Sequence, residues 1–110
     1  MLHAAPRVFS VPAHFSASPA EPHDEFRSLY DETHIVIDLT GIDTIDPALF
    51  TQLAQLRRHR HSQGLLRGRL VVDSRNVRNA LSAVGFERLW PIFSTLEEAI
   101  ASFGGPPIYA

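Results

Sequence analysis

His34-Ile35-Val36-Ile37-Asp38-Leu39-Thr40-Gly41-Ile42-Asp43-Thr44-Ile45-Asp46-Pro47 is the stretch that decides the fold of this chain. Residues 34–39 form a nearly continuous, β-branched apolar run, which predicts a strand covered on both faces. Asp46 is a good helix N-cap and Pro47 a good first helical residue, because proline lacks only an N–H that a helix start leaves unpaired. From Pro47 to about Ser62, Leu49, Phe50, Leu53, Ala54 and Leu56 make one apolar stripe at helical spacing. Gly64 is the natural stop. The stretch therefore reads as strand, turn, helix.

Outward from it, the same units recur. Arg69-Leu70-Val71-Val72-Asp73 is a second strand, and Asn76 to Val84 a helix ended by Gly85. Leu89-Trp90-Pro91-Ile92-Phe93 is a weaker strand, which Pro91 confines to a short or edge position because it cannot donate to the ladder. Ser94-Thr95-Leu96-Glu97 reads as a capping box opening a last helix that runs to about Phe103. On the N-terminal side, Arg7 to Val11 is a strand stopped by Pro12, and a further helix is expected between Glu21 and Tyr30. The alternation predicts an α/β domain with a mixed, mostly parallel β-sheet packed with about four helices. The expected core joins Val36, Ile37, Leu70, Val71 and Ile92 to Leu53, Leu56, Leu81, Leu96 and Ile100. Expected boundaries are a flexible N-terminus over 1–6, the domain over 7–103 and a tail over 104–110. There is no internal repeat and no low-complexity segment.

Composition narrows the chemistry. A chain of 110 residues with 45% hydrophobic and 20% charged residues is one ordinary globular domain. Cysteine is absent, which excludes disulfides, thiol nucleophiles and cysteine-based metal sites. All ten basic side chains other than histidine are arginine, so no phosphate-loop or Schiff-base lysine exists. The formal charge of −2 gives no general attraction to nucleic acid or to a membrane surface. The start of the chain lacks the apolar run of a secretory signal, and no stretch reaches the roughly 20 apolar residues of a membrane span, so a cytoplasmic location is expected.

Residues 34–103 resemble the STAS domain, the fold of bacterial anti-sigma-factor antagonists. The resemblance is carried by His34 to Ile42 as central strand and turn, and by Ile45-Asp46 as the signature loop. Ser74-Arg75-Asn76-Val77-Arg78-Asn79-Ala80-Leu81 with Val84-Gly85-Phe86, and Phe93 to Ile100, complete it. It implies a non-catalytic module that binds an anti-sigma factor or related serine kinase, or, in a sister role, the ATPase subunit of a lipid-type ABC transporter. Regulated members carry a phosphorylatable Ser directly after the signature Asp. This chain reads Asp46-Pro47-Ala48-Leu49, so Pro47 stands where that hydroxyl would be. Phosphate at a helix start suits the helix yet adds about two negative charges to an interface. With Pro47 the same surface carries a fixed charge.

The resemblance implies a partner surface of Asp46, Pro47, Ala48, Leu49, Thr51, Gln52 and Gln55, with Ser74 and Arg75 from the neighbouring turn. Arg58 continues the expected exposed face, whose low charge near the helix start suits an interface centre. Thr44 and Thr51 are the candidate displaced phosphosites. Asp46 alone also reads as a plain N-cap worth about 1 kcal/mol. Asp38, Asp43, Asp46 and Asp73 fall at strand ends, the edge where ligands bind in open α/β sheets. A small nucleotide-binding or magnesium-dependent enzyme is the alternative they raise, though Asp43 and Asp73 also read as turn residues. Arg57-Arg58-His59-Arg60-His61, with Arg67 and Arg69, is a basic cluster read as solvated cations at a helix C-terminus. Arg60 in particular is expected to tolerate charge reversal. No cofactor, metal or nucleic-acid partner is expected.

Overall fold

The computed structural model describes residues 6–11, 27–30, 32–65 and 68–103. Among these residues, four strands form one sheet in the order β1 (Arg7–Ser10), β2 (Ile35–Asp38), β3 (Arg69–Val71), β4 (Ile92–Phe93), and all three pairings are parallel. Ile37 lies opposite Leu70, and Leu70 opposite Ile92. β4 has two residues and sits at the sheet edge, as Pro91 requires. The Pro91 carbonyl still accepts from Leu70 N–H at 2.9 Å.

Helix α1 (Pro47–Ser62) joins β2 to β3, and α2 (Arg75–Ala83) with a 3₁₀ turn (Phe86–Arg88) joins β3 to β4. Both crossovers step in the same direction across the sheet. Right-handed connections then put both helices on one face. The core agrees: Ile35, Ile37 and Leu70 cluster with Leu49, Leu53 and Leu56 of α1 and Val77 and Leu81 of α2. Helix α3 (Leu96–Ala101) covers the other face, where Val36 and Val71 pack with Ala99. Ile35, Val36 and Ile37 are all fully buried because alternate residues serve opposite layers.

Three α-helices and a 3₁₀ turn lie among the described residues. Of the helix expected over 21–30, only 27–30 fall within them. Residues 1–5 of the expected flexible N-terminus, and the tail over 104–110, lie outside them. The last helix begins one residue later than the expected box: Thr95, not Ser94, is the N-cap, accepting from Glu98 N–H at 3.1 Å. Ile100 is not a core residue. The inward side of α3 carries the buried Ala99 and the partly buried Leu96, with Phe103 just beyond the helix packing on the same cluster, and Ile100 turns outward at 38% exposure.

Two positions fix how the elements meet. Gly68 admits no side chain, because a Cβ there would overlap Trp90 and stand 2.6 Å from Ile35 Cγ1. Arg60 is buried at 2% exposure, which corrects its reading as a solvated cation. Its guanidinium donates to the backbone carbonyls of Leu29 at 3.1 Å, Thr33 at 2.8 Å, and Glu32. It is buried because it continues the stripe of Leu49, Leu53 and Leu56 by one further step of four. Burial pulls its pKa below the ordinary arginine value, with the charge of Glu32 opposing. One side chain thus ties the segment before β2 to the far end of α1.

Candidate protein-binding site

The C-terminal ends of β2 and β3 lie side by side, so the turns that follow them meet. Leu39 N–H donates to the Val71 carbonyl at 2.8 Å, and Gly41 N–H to Asp73 Oδ1 at 3.3 Å. The Ser74 hydroxyl reaches Asp43 Oδ1 at 3.1 Å. The starts of α1 and α2 are thereby held at one edge.

At α1 the local chemistry is that of a capped helix. Asp46 is extended, with φ −81° and ψ 141°, and its Oδ1 accepts from Ala48 N–H at 2.7 Å. Pro47 follows as the first helical residue, and no acidic residue lies in the first turn. The Thr51 hydroxyl donates to the Pro47 carbonyl at 3.1 Å. At α2, Ser74 is the N-cap and accepts from Val77 N–H at 3.3 Å.

Asp46, Pro47, Thr44 and Arg75 are exposed, and Ala48, Thr51, Gln55 and Ser74 are half-buried. Leu49 and Gln52 are buried at 1% each. Both belong to the same inward stripe as Leu53 and Leu56, so they support the face from beneath and are not part of its surface. Beside this face runs an apolar groove lined by Phe50, Thr51, Ala54, Val84, Phe86 and Leu89. Val84 is 63% exposed within it, and the Phe50 and Phe86 rings meet edge to face at 5.8 Å. The sequence reading missed this groove. Its only signal is an apolar Val84 placed after the last buried residue of α2.

The carboxylates at the strand ends are engaged in turn building. Asp38 Oδ1 accepts from Thr40 N–H at 2.9 Å, and Asp43, Asp46 and Asp73 have the partners given above. Among the described residues, no group of three or more His, Asp or Glu could hold a metal ion. The basic cluster is dispersed. Arg60 is buried, His59 stacks on Tyr30 at 4.5 Å, and Arg69 bonds Ser102 at 2.6 Å and lies over the Phe103 ring. Arg67 lies outside the described residues. Burial raises the Tyr30 pKa, against the opposing pull of Arg27. No described helix is long and apolar enough to cross a membrane.

The STAS domain family matches the chain over residues 15–99, and the chain belongs to that family. The NMR structure of the protein TM1081 shares its fold, with a TM-score of 0.61 at 18% identity. The match covers 90% of this chain and 87% of that one. No curated protein matches the sequence. STAS domains are generally non-catalytic and act through protein interactions.

Proposed function

We propose that this chain is a protein-binding regulator of the anti-sigma-factor-antagonist kind. It engages an anti-sigma factor or related serine kinase in the cytoplasm through the exposed start of α1 and the Ser74-Arg75 turn. The observation that carries the reading is Pro47. It occupies the first position of a well-capped helix at the edge where two helix starts converge, and it has no hydroxyl to phosphorylate. The surface formed by Asp46, Pro47, Ala48, Thr51 and Gln55 is therefore unswitched, and the adjoining apolar groove enlarges it. The same absence of a switch suits a constitutive subunit of a lipid-type ABC transporter, which would present this face to an ATPase subunit.

A photo-crosslinking residue at Ala48, in the native host, tests the reading. It is expected to capture a protein carrying a kinase-type ATPase domain, whereas one at Glu97 on α3, across the sheet, captures none. A transporter ATPase subunit in the Ala48 product would select the second role. Mass spectrometry of the same material is expected to find Thr44 and Thr51 unphosphorylated. Stoichiometric phosphate on either would overturn the unswitched reading, and crosslinks from Glu97 alone would overturn the surface.

A further inference from the structure

Beside the Ser74-Arg75 turn, a cleft of about 370 Å³ is lined by Val72, Asp73, Ser74, Arg75, Arg78 and Ser94. Arg75 is exposed and Arg78 half-buried. The Arg78 guanidinium donates to the Ser94 hydroxyl at 3.4 Å, a neutral partner. Among the described residues neither arginine reaches ion-pair distance of a carboxylate, that of Asp73 on the same wall included. Both stand within the first four residues of α2, a helix with no acidic residue anywhere along it. A helix start favours anions and disfavours cations. Arg75 and Arg78 therefore act against the helix that carries them, the kind of local conflict that natural chains keep at functional sites.

From these residues we infer that the cleft receives an acidic side chain, Asp or Glu, of the protein that docks on the start of α1; the inference rests on the proposed function and gives its partner a chemistry. The charge of the lining favours a carboxylate over a free phosphate. Two arginines against Asp73 leave one positive charge, which a single carboxylate balances and a phosphate dianion exceeds. The Ser74 hydroxyl is already engaged, with Asp43 and as the cap of α2. The same Ser74–Asp43 contact joins the cleft to the turn before α1, so one partner spans both. That partner meets the uncharged Pro47 and Ala48 with Arg75 and Arg78 beside them, a charge-poor centre with a polar rim. The planar fork of arginine matches a carboxylate in two parallel hydrogen bonds. Charges so placed orient the partner and speed its encounter.

The chain has no lysine, so Arg78→Lys gives it a single side-chain amine, placed at the cleft. A carbodiimide then joins that amine to a carboxylate in direct contact with it. In lysate of the native host, full-length Arg78→Lys is expected to form an amide with an Asp or Glu of the same protein that a photo-crosslinker at Ala48 captures, read by mass spectrometry of the linked peptides. Arg88→Lys, beyond the far end of α2, is the control and is expected to form none with it. Toward that purified partner, Arg75→Gln combined with Arg78→Gln is expected to lower affinity about tenfold at low salt and to remove most of its salt dependence. An Ala48 product with no amide from Arg78→Lys, or an unchanged affinity of the double variant, overturns the acidic contact and leaves the proposed surface standing. An amide from Arg78→Lys with no Ala48 product overturns the proposed surface, and the absence of both products overturns the two together. Binding of inorganic phosphate or ATP to the unaltered chain, lost in Arg78→Gln, would overturn the inference and assign the cleft to a small anion.

Discussion

Arg60→Met lowers the stability of the domain by about 3–5 kcal/mol, the largest effect expected for any substitution of a charged residue here. The methionine fills much of the arginine's volume, so the loss isolates the guanidinium. What remains is three backbone carbonyls, those of Leu29, Glu32 and Thr33, turned toward a side chain that cannot donate. These carbonyls lie in the segment leading into β2, so the damage reaches the central strand. Arg58→Met, two residues away on the exposed side, serves as the control and is expected to stay within about 0.5 kcal/mol. Chemical denaturation of both variants measures the difference. Equal midpoints would mean that Arg60 does not tie the segment before β2 to α1.

Leu53→Ala comes next, at about 2–5 kcal/mol. Leu53 is wholly buried in the cluster with Ile35, Ile37 and Leu70, so truncation leaves a cavity between helix and sheet. Phe50→Ala is expected to be milder, because Phe50 is only partly buried and lies on the groove side of α1. Thermal melts of the pair test which face of α1 meets the sheet. An unchanged Tm for Leu53→Ala would overturn that assignment.

The sheet and its helices were legible because hydrophobic burial leaves a periodic trace. Ile35-Val36-Ile37 has no polar alternation, which is what a strand sandwiched between α1 and α3 requires. Pro91 foretold an edge strand through its missing donor. Residue polarity misleads where helix geometry overrides it. Gln52 and Arg60 lie at steps of three and four from Leu49 and Leu56, inside the apolar stripe, yet their polar ends suggested solvent. Arg60 is buried because backbone carbonyls far away in sequence receive it, and no local pattern announces them. Ile100 failed in the opposite sense: an apolar residue on a six-residue helix whose buried line passes through Ala99 instead. At the candidate site, the caps Asp46 and Ser74 and the absence of a hydroxyl at Pro47 could be read directly from residue type. The Ser74–Asp43 contact and the Val84 groove depend on which strands are neighbours, and so emerge only in three dimensions.

On the proposed function, the start of α1 is the working surface and Pro47 fixes its charge. The most direct measurement is the affinity of the crosslinked partner, once purified, for the unaltered chain, Pro47→Asp and Glu97→Arg. An acid in the first turn is compatible with the helix, so Pro47→Asp is expected to keep its fold and Tm. It places an unpaired charge in the interface, and the account predicts binding about tenfold weaker, equivalent to about 1.4 kcal/mol. Glu97→Arg, on the opposite face of the sheet, should bind as the unaltered chain does. Full affinity for Pro47→Asp with loss of binding in Glu97→Arg would contradict the account and move the partner to the α3 face.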